Sequence, residues 1–524
     1  MAEYVDNGWL RAFPDVEALQ RYLGAPPILN KFACITKTKV GEHGATTIKK
    51  RIIMDAKQSL VKEAANRQFR AILPRVTDAI NDVIAVLNSL QEDQQAEQVV
   101  LDAKDAFWEV PLHPDERRFY CGRILDEEGN IRYVTYCRTA QGSRGAPLTW
   151  SAVNALISRL VLSLLYEEDA VSGDLQLHDR MNVYVDDPWA VLVGTQADRD
   201  RKLALLILGW RVLGINLALA KGQCAADVNW IGASLDIPDR KHVIVQIIKG
   251  RLDELHEMTI DILGKNYILK SVLRTYTGKA QSMASVIITW RPFVHMLYGA
   301  IYSDASNSQV WTKQIRIPLE WILAFLTMRA GNLRRSFDVD SHFRRGRKIE
   351  IVTDASPWGV GAFIIVDGKP RSWFSVRVAD FDFDAMQLVD SADSKVQQAL
   401  EAFCMLLALR TWHSQWSLVR SALTVKGDNM AALTMVIKLQ PRSPTLSIIA
   451  REIALDVADA LYCPTIVARI PGVVNRTADS LSRRYAPSAQ NGWEVPDYLQ
   501  NTMELIPKRD RTWWRSVEPL VHTA

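Results

Sequence analysis

Seven acidic side chains in this sequence stand where clustered oxygen ligands would be useful. Asp102 closes the apolar run VVLDAKDAF, while Asp186 and Asp187 sit side by side in YVDD between two further apolar runs. That second placement predicts the tip of a β-hairpin. Asp354 ends IEIVTDAS, Glu401 lies inside the apolar segment QALEAFCMLLAL, Asp428 ends ALTVKGDN and Asp479 lies in NRTADSLSR. Two-metal phosphoryl transfer needs divalent cations about 3.5 to 4 Å apart, and hard Mg²⁺ takes oxygen ligands. Carboxylates on rigid elements supply them. Singly, an Asp at a strand end or hairpin is more often a turn former or a cap. The Glu in an apolar helix is the most telling of the seven, because burying it unpaired is costly. Adjacent acids at a hairpin tip repel one another, a cost that a bound cation removes.

The elements that must position these groups follow from the hydrophobic pattern. Residues 1–30 mix helix-like and Pro-rich pieces, and β-branched runs flanking GEHGA predict a hairpin from Lys31 to Asp55 carrying Lys49, Lys50 and Arg51. Residues 60–95 read as helical and VVLDAKDAFWEV as a buried strand entering a turn. YVTYCR and MNVYVDDPWAVLVG read as strands separated by a helix from Thr149 to Tyr166. Residues 245–330 read as helical, and the polar stretch LRRSFDVDSHFRRGRK then leads into a second α/β region. That region orders strands IEIVTDAS and GVGAFIIVDG, helix KVQQALEAFCMLLALRTW, strands ALTVKGDN and TIVARIPG, and a short helix from about Asn475.

At 524 residues the chain exceeds a single hydrophobic core, so two or more domains are expected. With 48% hydrophobic residues and 16 Trp, most of the length can fold. Lys plus Arg total 63 against 59 for Asp plus Glu, a net charge of +4, so any basic surface must be local. Cys34, Cys121, Cys137, Cys224, Cys404 and Cys463 form no CxxC pair, which argues against a disulfide framework and a cysteine zinc site and fits a reducing compartment. The amino terminus lacks a signal-peptide pattern, and apolar runs such as LALLILGW at 203–210 are too short for a bilayer. The expectation is an intracellular protein, cytoplasmic or nuclear, with no membrane partner.

Taken in order, the motifs resemble those of retrotransposon reverse transcriptases. LDAKDAF is similar to the first metal-binding motif, QGSRGAP at 141–147 to the template-gripping motif, and YVDD to the family's best-known signature. NLALAKGQC and VNWIGASLDI resemble the two motifs that close the palm, and KKRIIMDAKQS resembles the fingers segment that contacts the incoming triphosphate. Ala103 departs from the family's usual Leu. TDASPWGVGA, the helix with Glu401, GDNMAAL and IPGVVNRTADSLSR resemble the ribonuclease H domain of LTR gypsy-like and DIRS-like elements. Ile470, Pro471 and Gly472 replace the His often found in its last loop.

The resemblance implies an α+β fold, a right-hand polymerase of fingers, palm and thumb followed by an α/β ribonuclease H-like domain. Its divisions are an N-terminal extension 1–30, fingers and palm 31–240, thumb/connection 241–330, a basic linker 331–347, the ribonuclease H-like domain 348–485 and a tail 486–524. It implies an RNA-directed DNA polymerase that copies an RNA template from a DNA primer with deoxynucleoside triphosphates. It also implies ribonuclease H cleavage of RNA–DNA hybrids, within a retrotransposon polyprotein, with two Mg²⁺ or Mn²⁺ ions per site. Asp102, Asp186 and Asp187 would serve the first site, and Asp354, Glu401, Asp428 and Asp479 the second.

Arg51 would hold triphosphate oxygens, and Gln141 and Gly142 would receive the template. Phe107, five residues after Asp102, would bar a 2′-hydroxyl. Lys221 would protonate the leaving pyrophosphate or be a surface lysine. Lys270, Arg274, Lys279 and Arg291 would touch phosphates or line solvated helix faces, and Arg344, Arg345, Arg347 and Lys348 would steer hybrid or form a solvated linker. Trp513 and Trp514 would dock on the body or stack on nucleic acid. Two other readings are a decayed copy that binds without catalysis and a DNA-templated polymerase with an inert nuclease domain. With no protease Asp-Thr-Gly, zinc knuckle or integrase finger, the chain is expected to be one part of an element's machinery or a truncated copy.

Overall fold

The computed structural model describes residues 2–40, 46–65, 69–126, 128–139, 142–168, 175–303, 308–388, 394–416, 421–459, 466–489, 493–499, 502–510 and 512–517. The chain is a mixed α/β protein of two compact units, Met1–Ile231 and Gly232–Ala524.

In the first unit, the expected hairpin forms with Lys31 facing Asp55, at one edge of a five-stranded sheet. Leu10–Phe13 joins that sheet by pairing with Tyr133–Tyr136, and Trp9 stacks on Trp108 at 5.1 Å. A second, four-stranded sheet has the order Gln223–Ala225, Gln95–Val100, Asp187–Gly194, Arg180–Tyr184. Val99, Ala190 and Leu192 of this sheet pack on Trp150 of helix Ala146–Leu162 and on Leu206 and Trp210 of helix Gln196–Val212. Buried Lys202 pairs with Asp179 at 3.0 Å and donates to the Val193 carbonyl at 2.9 Å, which ties the second helix to the base of the hairpin.

Two expectations are corrected here. The helix read over 60–95 spans only Val76–Ser89 and a four-residue turn, Val61–Ala64. Pro74 disfavours helical backbone at Leu73, and the Asp78 carboxylate accepts from the Arg75 amide at 2.7 Å to fix the start. Residues Ala146–Leu165 form 20 residues of helix long and apolar enough to cross a bilayer, although no run was expected to reach that length. One face of that helix, with Trp150, Asn154, Ser158 and Val161, is buried within the unit.

The second unit begins with antiparallel strands Ala233–Asp236, His242–Ile247 and Arg334–Asp338. Helices Lys249–Leu263, Lys270–Ala284, Arg291–Tyr302 and Arg316–Leu326 lie between the last two. The expected linker 331–347 is thus ordered: its central strand is paired, and Asp338 caps the next turn by accepting from Ser341 N at 2.7 Å. Arg345 and Arg347 form ion pairs with Asp340 (3.1 Å) and Asp367 (3.4 Å). Among the proposed phosphate contacts, Lys270 is buried and Lys279 pairs with Glu254 at 2.5 Å. Arg291 donates to the Ala284 and Lys438 carbonyls at 3.1 Å each. Lys279 and Arg291 thereby link elements of this unit.

A five-stranded mixed sheet follows, in the order Lys369–Val376, Gly359–Val366, Arg347–Ser356, Ser421–Gly427, Ile466–Arg469, its last three strands parallel. Helix Ser394–Thr411 packs on it and is buried from Ala399 to Leu409. Of the two possibilities for the tail, the structure shows docking. Trp514 is buried and stacks on Phe403 at 5.8 Å, Arg410 lies over Trp513 at 4.3 Å, and Ser516 N donates to Glu452 at 2.6 Å. Removing a buried indole leaves a cavity, so Trp514→Ala should cost about 3 to 5 kcal/mol. The check is the urea midpoint of this unit, and a shift worth less than about 1 kcal/mol would remove the tail from the core.

Candidate functional site

Asp102 follows strand Gln95–Val100, and the hairpin of Asp186 and Asp187 lies beside it in the same sheet. Backbone bonds join the segments: Leu101 N donates to Pro188 O at 2.9 Å, Ala103 N to Asp186 O at 2.9 Å, and Ala218 N to Asp102 O at 2.8 Å. Trp230 Nε1 holds the Asp187 carbonyl at 3.0 Å. Burial, and then the negative charges of Asp186 and Asp102, push the Asp187 carboxyl up to about 6, while Lys221 opposes the rise. Lys221, whose side chain is 59% exposed, forms an ion pair with Asp102.

Phe107 sits half-buried in the turn Ala106–Glu109, packed against the same core as the hairpin, and its carbonyl accepts from the Thr139 hydroxyl. Gly142 adopts φ 98°, and an added Cβ would collide with the Met54 carbonyl oxygen. Glycine is therefore required by the protein's own strand, independently of any template. Gln141 and the side chain of Arg51 lie outside the described residues.

The second cluster is built on the C-terminal sheet. Asp354 lies two residues before the end of strand Arg347–Ser356, Asp428 follows the neighbouring parallel strand, and Glu401 comes from the helix packed on them. One carboxylate oxygen from each lies within 4.8 Å of the other two. Ser482 Oγ donates to Asp354 at 2.7 Å, and Ala355 N and Gln397 Nε2 donate to Glu401 Oε1 at 3.3 Å each. The buried Oε2 of Glu401 has no hydrogen-bond partner among the described residues. Burial first, with mutual repulsion added, pushes Asp354 up to about 7 and Glu401 up to about 9. An orphaned carboxylate oxygen among acids that resist ionising fits a hard divalent cation.

Asp479 stands apart from that trio. It is close enough to raise Asp354, yet it pairs with Arg483 at 2.6 Å. Gly361 lets its helix press on the sheet, since a Cβ there would stand 2.5 Å from Ser482 N. The loop that replaces the expected His reaches the cluster, with Gly472 placed so that a Cβ would lie 3.4 Å from Asp428 Oδ2.

Over 134 residues the chain is 31% identical to the Gag-Pol polyprotein of avian reticuloendotheliosis virus. A quarter of this chain is thus similar to a retroviral polyprotein. The match covers 11% of the polyprotein, so the chain spans about a ninth of the relative's length. No family model matches the sequence. Among solved structures, the foamy viral protease-reverse transcriptase in complex with dsDNA aligns at TM-score 0.42 and 17% identity, over 90% of this chain and 81% of that one. The foamy viral protease-reverse transcriptase dRH with ds DNA aligns at TM-score 0.45 and 15% identity, over 89% and 68%.

Sequence reasoning missed the residues that support the acids. Asn475 Nδ2 holds the Thr353 carbonyl at 3.1 Å, and Ser482 holds Asp354. Trp150 and Asn154 both reach the Val185 carbonyl, one residue before Asp186. The available signal was an Asn one helical turn after a Trp in an otherwise apolar segment, where an amide must find a buried partner.

Proposed function

We propose that this chain is an RNA-directed DNA polymerase with a ribonuclease H site, derived from a gypsy-like or DIRS-like retrotransposon. The observation that carries the reading is the joining of Asp102 to the Asp186–Asp187 hairpin through Ala103 N and Asp186 O in a retroviral-like chain. In this reading fingers and palm occupy 31–240, thumb and connection 241–330, and the ribonuclease H-like domain 348–485. Its partners are an RNA template, a DNA primer, deoxynucleoside triphosphates and RNA–DNA hybrid.

Asp102, Asp186 and Asp187 would ligate the cations of the polymerase site, and Asp354, Glu401, Asp428 and Asp479 those of the nuclease site. Two bound Mg²⁺ or Mn²⁺ ions would lower the pKa of the attacking hydroxyl or water and neutralise charge on the leaving oxygen. Lys221, already beside Asp102, is assigned the donation of a proton to the leaving pyrophosphate. For Asp479 to join its cluster, its carboxylate must exchange Arg483 for a cation.

Primer extension on RNA and DNA templates, with cleavage of labelled RNA in a hybrid, tests the proposal. Extension on RNA together with hybrid cleavage is expected. Extension on DNA alone, or binding without either reaction, would overturn it. We assign Phe107 the exclusion of ribonucleotides. Phe107→Val should raise the ratio of ribonucleotide to deoxyribonucleotide incorporation at least about tenfold, and an unchanged ratio removes Phe107 from that role.

A further inference from the structure

The turn that presents Asp186 is held in a conformation its sequence does not favour. Val185 has φ 55°, in the left-handed region. A β-branched residue is disfavoured there, and such strain persists only where the surroundings enforce it. Two side chains of helix Ala146–Leu162 do so. Trp150 Nε1 donates to the Val185 carbonyl oxygen at 2.8 Å, and Asn154 Nδ2 donates to the same oxygen at 2.9 Å. Both lone pairs of that oxygen are thereby used.

Trp150 and Asn154 are each 0% exposed, so a lost bond is not replaced by bulk water. They stand one helical turn apart and therefore face the same way. The Asn154 amide is itself oriented, because Ser158 Oγ donates to Asn154 Oδ1 at 3.4 Å. On the other side of the turn, the Asp186 carbonyl accepts from Ala103 N at 2.9 Å, next to Asp102. The Asp186 residue is thus gripped at both of its peptide groups, by the helix before it and by the Asp102 segment after it.

We propose that Trp150 and Asn154 are a paired positioning device, holding Val185 left-handed so that the Asp186 and Asp187 carboxylates converge on Asp102. The inference rests on the polymerase reading of that cluster for its activity readout but not for its metal-binding readout. Asn154→Leu removes one donor with little change in shape, and Trp150→Phe removes the other. In the full chain each should lower kcat of primer extension about tenfold or more while changing the nucleotide KM less than about threefold. Cleavage of preformed hybrid, which uses other acids, serves as the folding control.

The decisive variant is Val185→Gly placed in the Asn154→Leu background. Glycine adopts φ 55° without strain, so it should recover most of the lost kcat. It would not repair a cavity or a misfolded helix. A second readout is independent of synthesis: Mn²⁺ broadening of the Trp150 indole N–H resonance, close to Asp186. Asn154→Leu should need about tenfold more Mn²⁺ for the same broadening, and Val185→Gly should reverse the change.

The device is overturned if Asn154→Leu keeps wild-type kcat and wild-type Mn²⁺ response, or if glycine in place of Val185 restores neither. A wild-type chain that extends no primer yet shows the Mn²⁺ effect and its reversal sinks the polymerase reading and supports the device.

Discussion

Asp186→Asn should abolish primer extension, by at least about a thousandfold, and leave cleavage of a preformed RNA–DNA hybrid within about twofold of wild type. The amide keeps the shape of the carboxylate, so the hairpin and its bond from Ala103 N to the Asp186 carbonyl remain. What is lost is one negative charge from a group of three acids whose mutual repulsion adds to the burial that pushes Asp187 up to about 6. Removing that charge relaxes Asp187 toward an ordinary carboxylate and should stabilise the metal-free hairpin slightly. Stability and activity therefore move in opposite directions, which separates loss of a ligand from loss of structure. The nuclease acids belong to the other compact unit, so their chemistry should be unaffected. Extension within a few-fold of wild type would mean that the first cluster is not a polymerase site.

The acid-bearing segments were legible because each is a short apolar run with its acid at the end or tip, a pattern that needs no distant partner to be read. Asp354, Asp428 and the Asp186–Asp187 pair all stand where those runs predicted. Glu401 was legible for the opposite reason, as a charge inside a helix with no polar face. What escaped was whatever depends on a partner far along the chain. Arg334–Asp338 looks like a polar linker, and only pairing with His242–Gln246 makes it a strand. Trp514 finds Phe403, and Trp150 finds a carbonyl 35 residues later. The basic residues likewise find partners far along the chain: Lys279 pairs with Glu254, 25 residues earlier, and Arg291 reaches the Lys438 carbonyl, 147 residues later.

Glu401→Gln should eliminate hybrid cleavage, leave primer extension intact, and flatten the pH dependence of stability in the metal-free chain. The sign follows from the two raised carboxyls. In the unfolded chain Asp354 and Glu401 ionise near pH 4, whereas the folded chain keeps their protons up to about 7 and about 9. Between those limits the folded state binds more protons than the unfolded one, so stability falls as pH rises. Their contribution is fully present below about pH 4 and is lost by about pH 9. Added Mg²⁺ or Mn²⁺ should reverse the loss, with a larger rise in Tm at about pH 8 than at about pH 6, because binding has fewer protons to displace there.

The glutamine side chain of that variant cannot ionise, so the protein should lose the upper part of the slope together with much of the metal-induced rise. Asp428→Asn should also abolish cleavage, but it keeps Glu401 and hence most of the slope. Thermal melts of both variants across about pH 5 to 9, with and without Mn²⁺, therefore distinguish the buried acid from its more exposed neighbour. An unchanged slope in Glu401→Gln, with cleavage retained, would leave the C-terminal sheet as a structural domain whose three converging acids bind no catalytic metal.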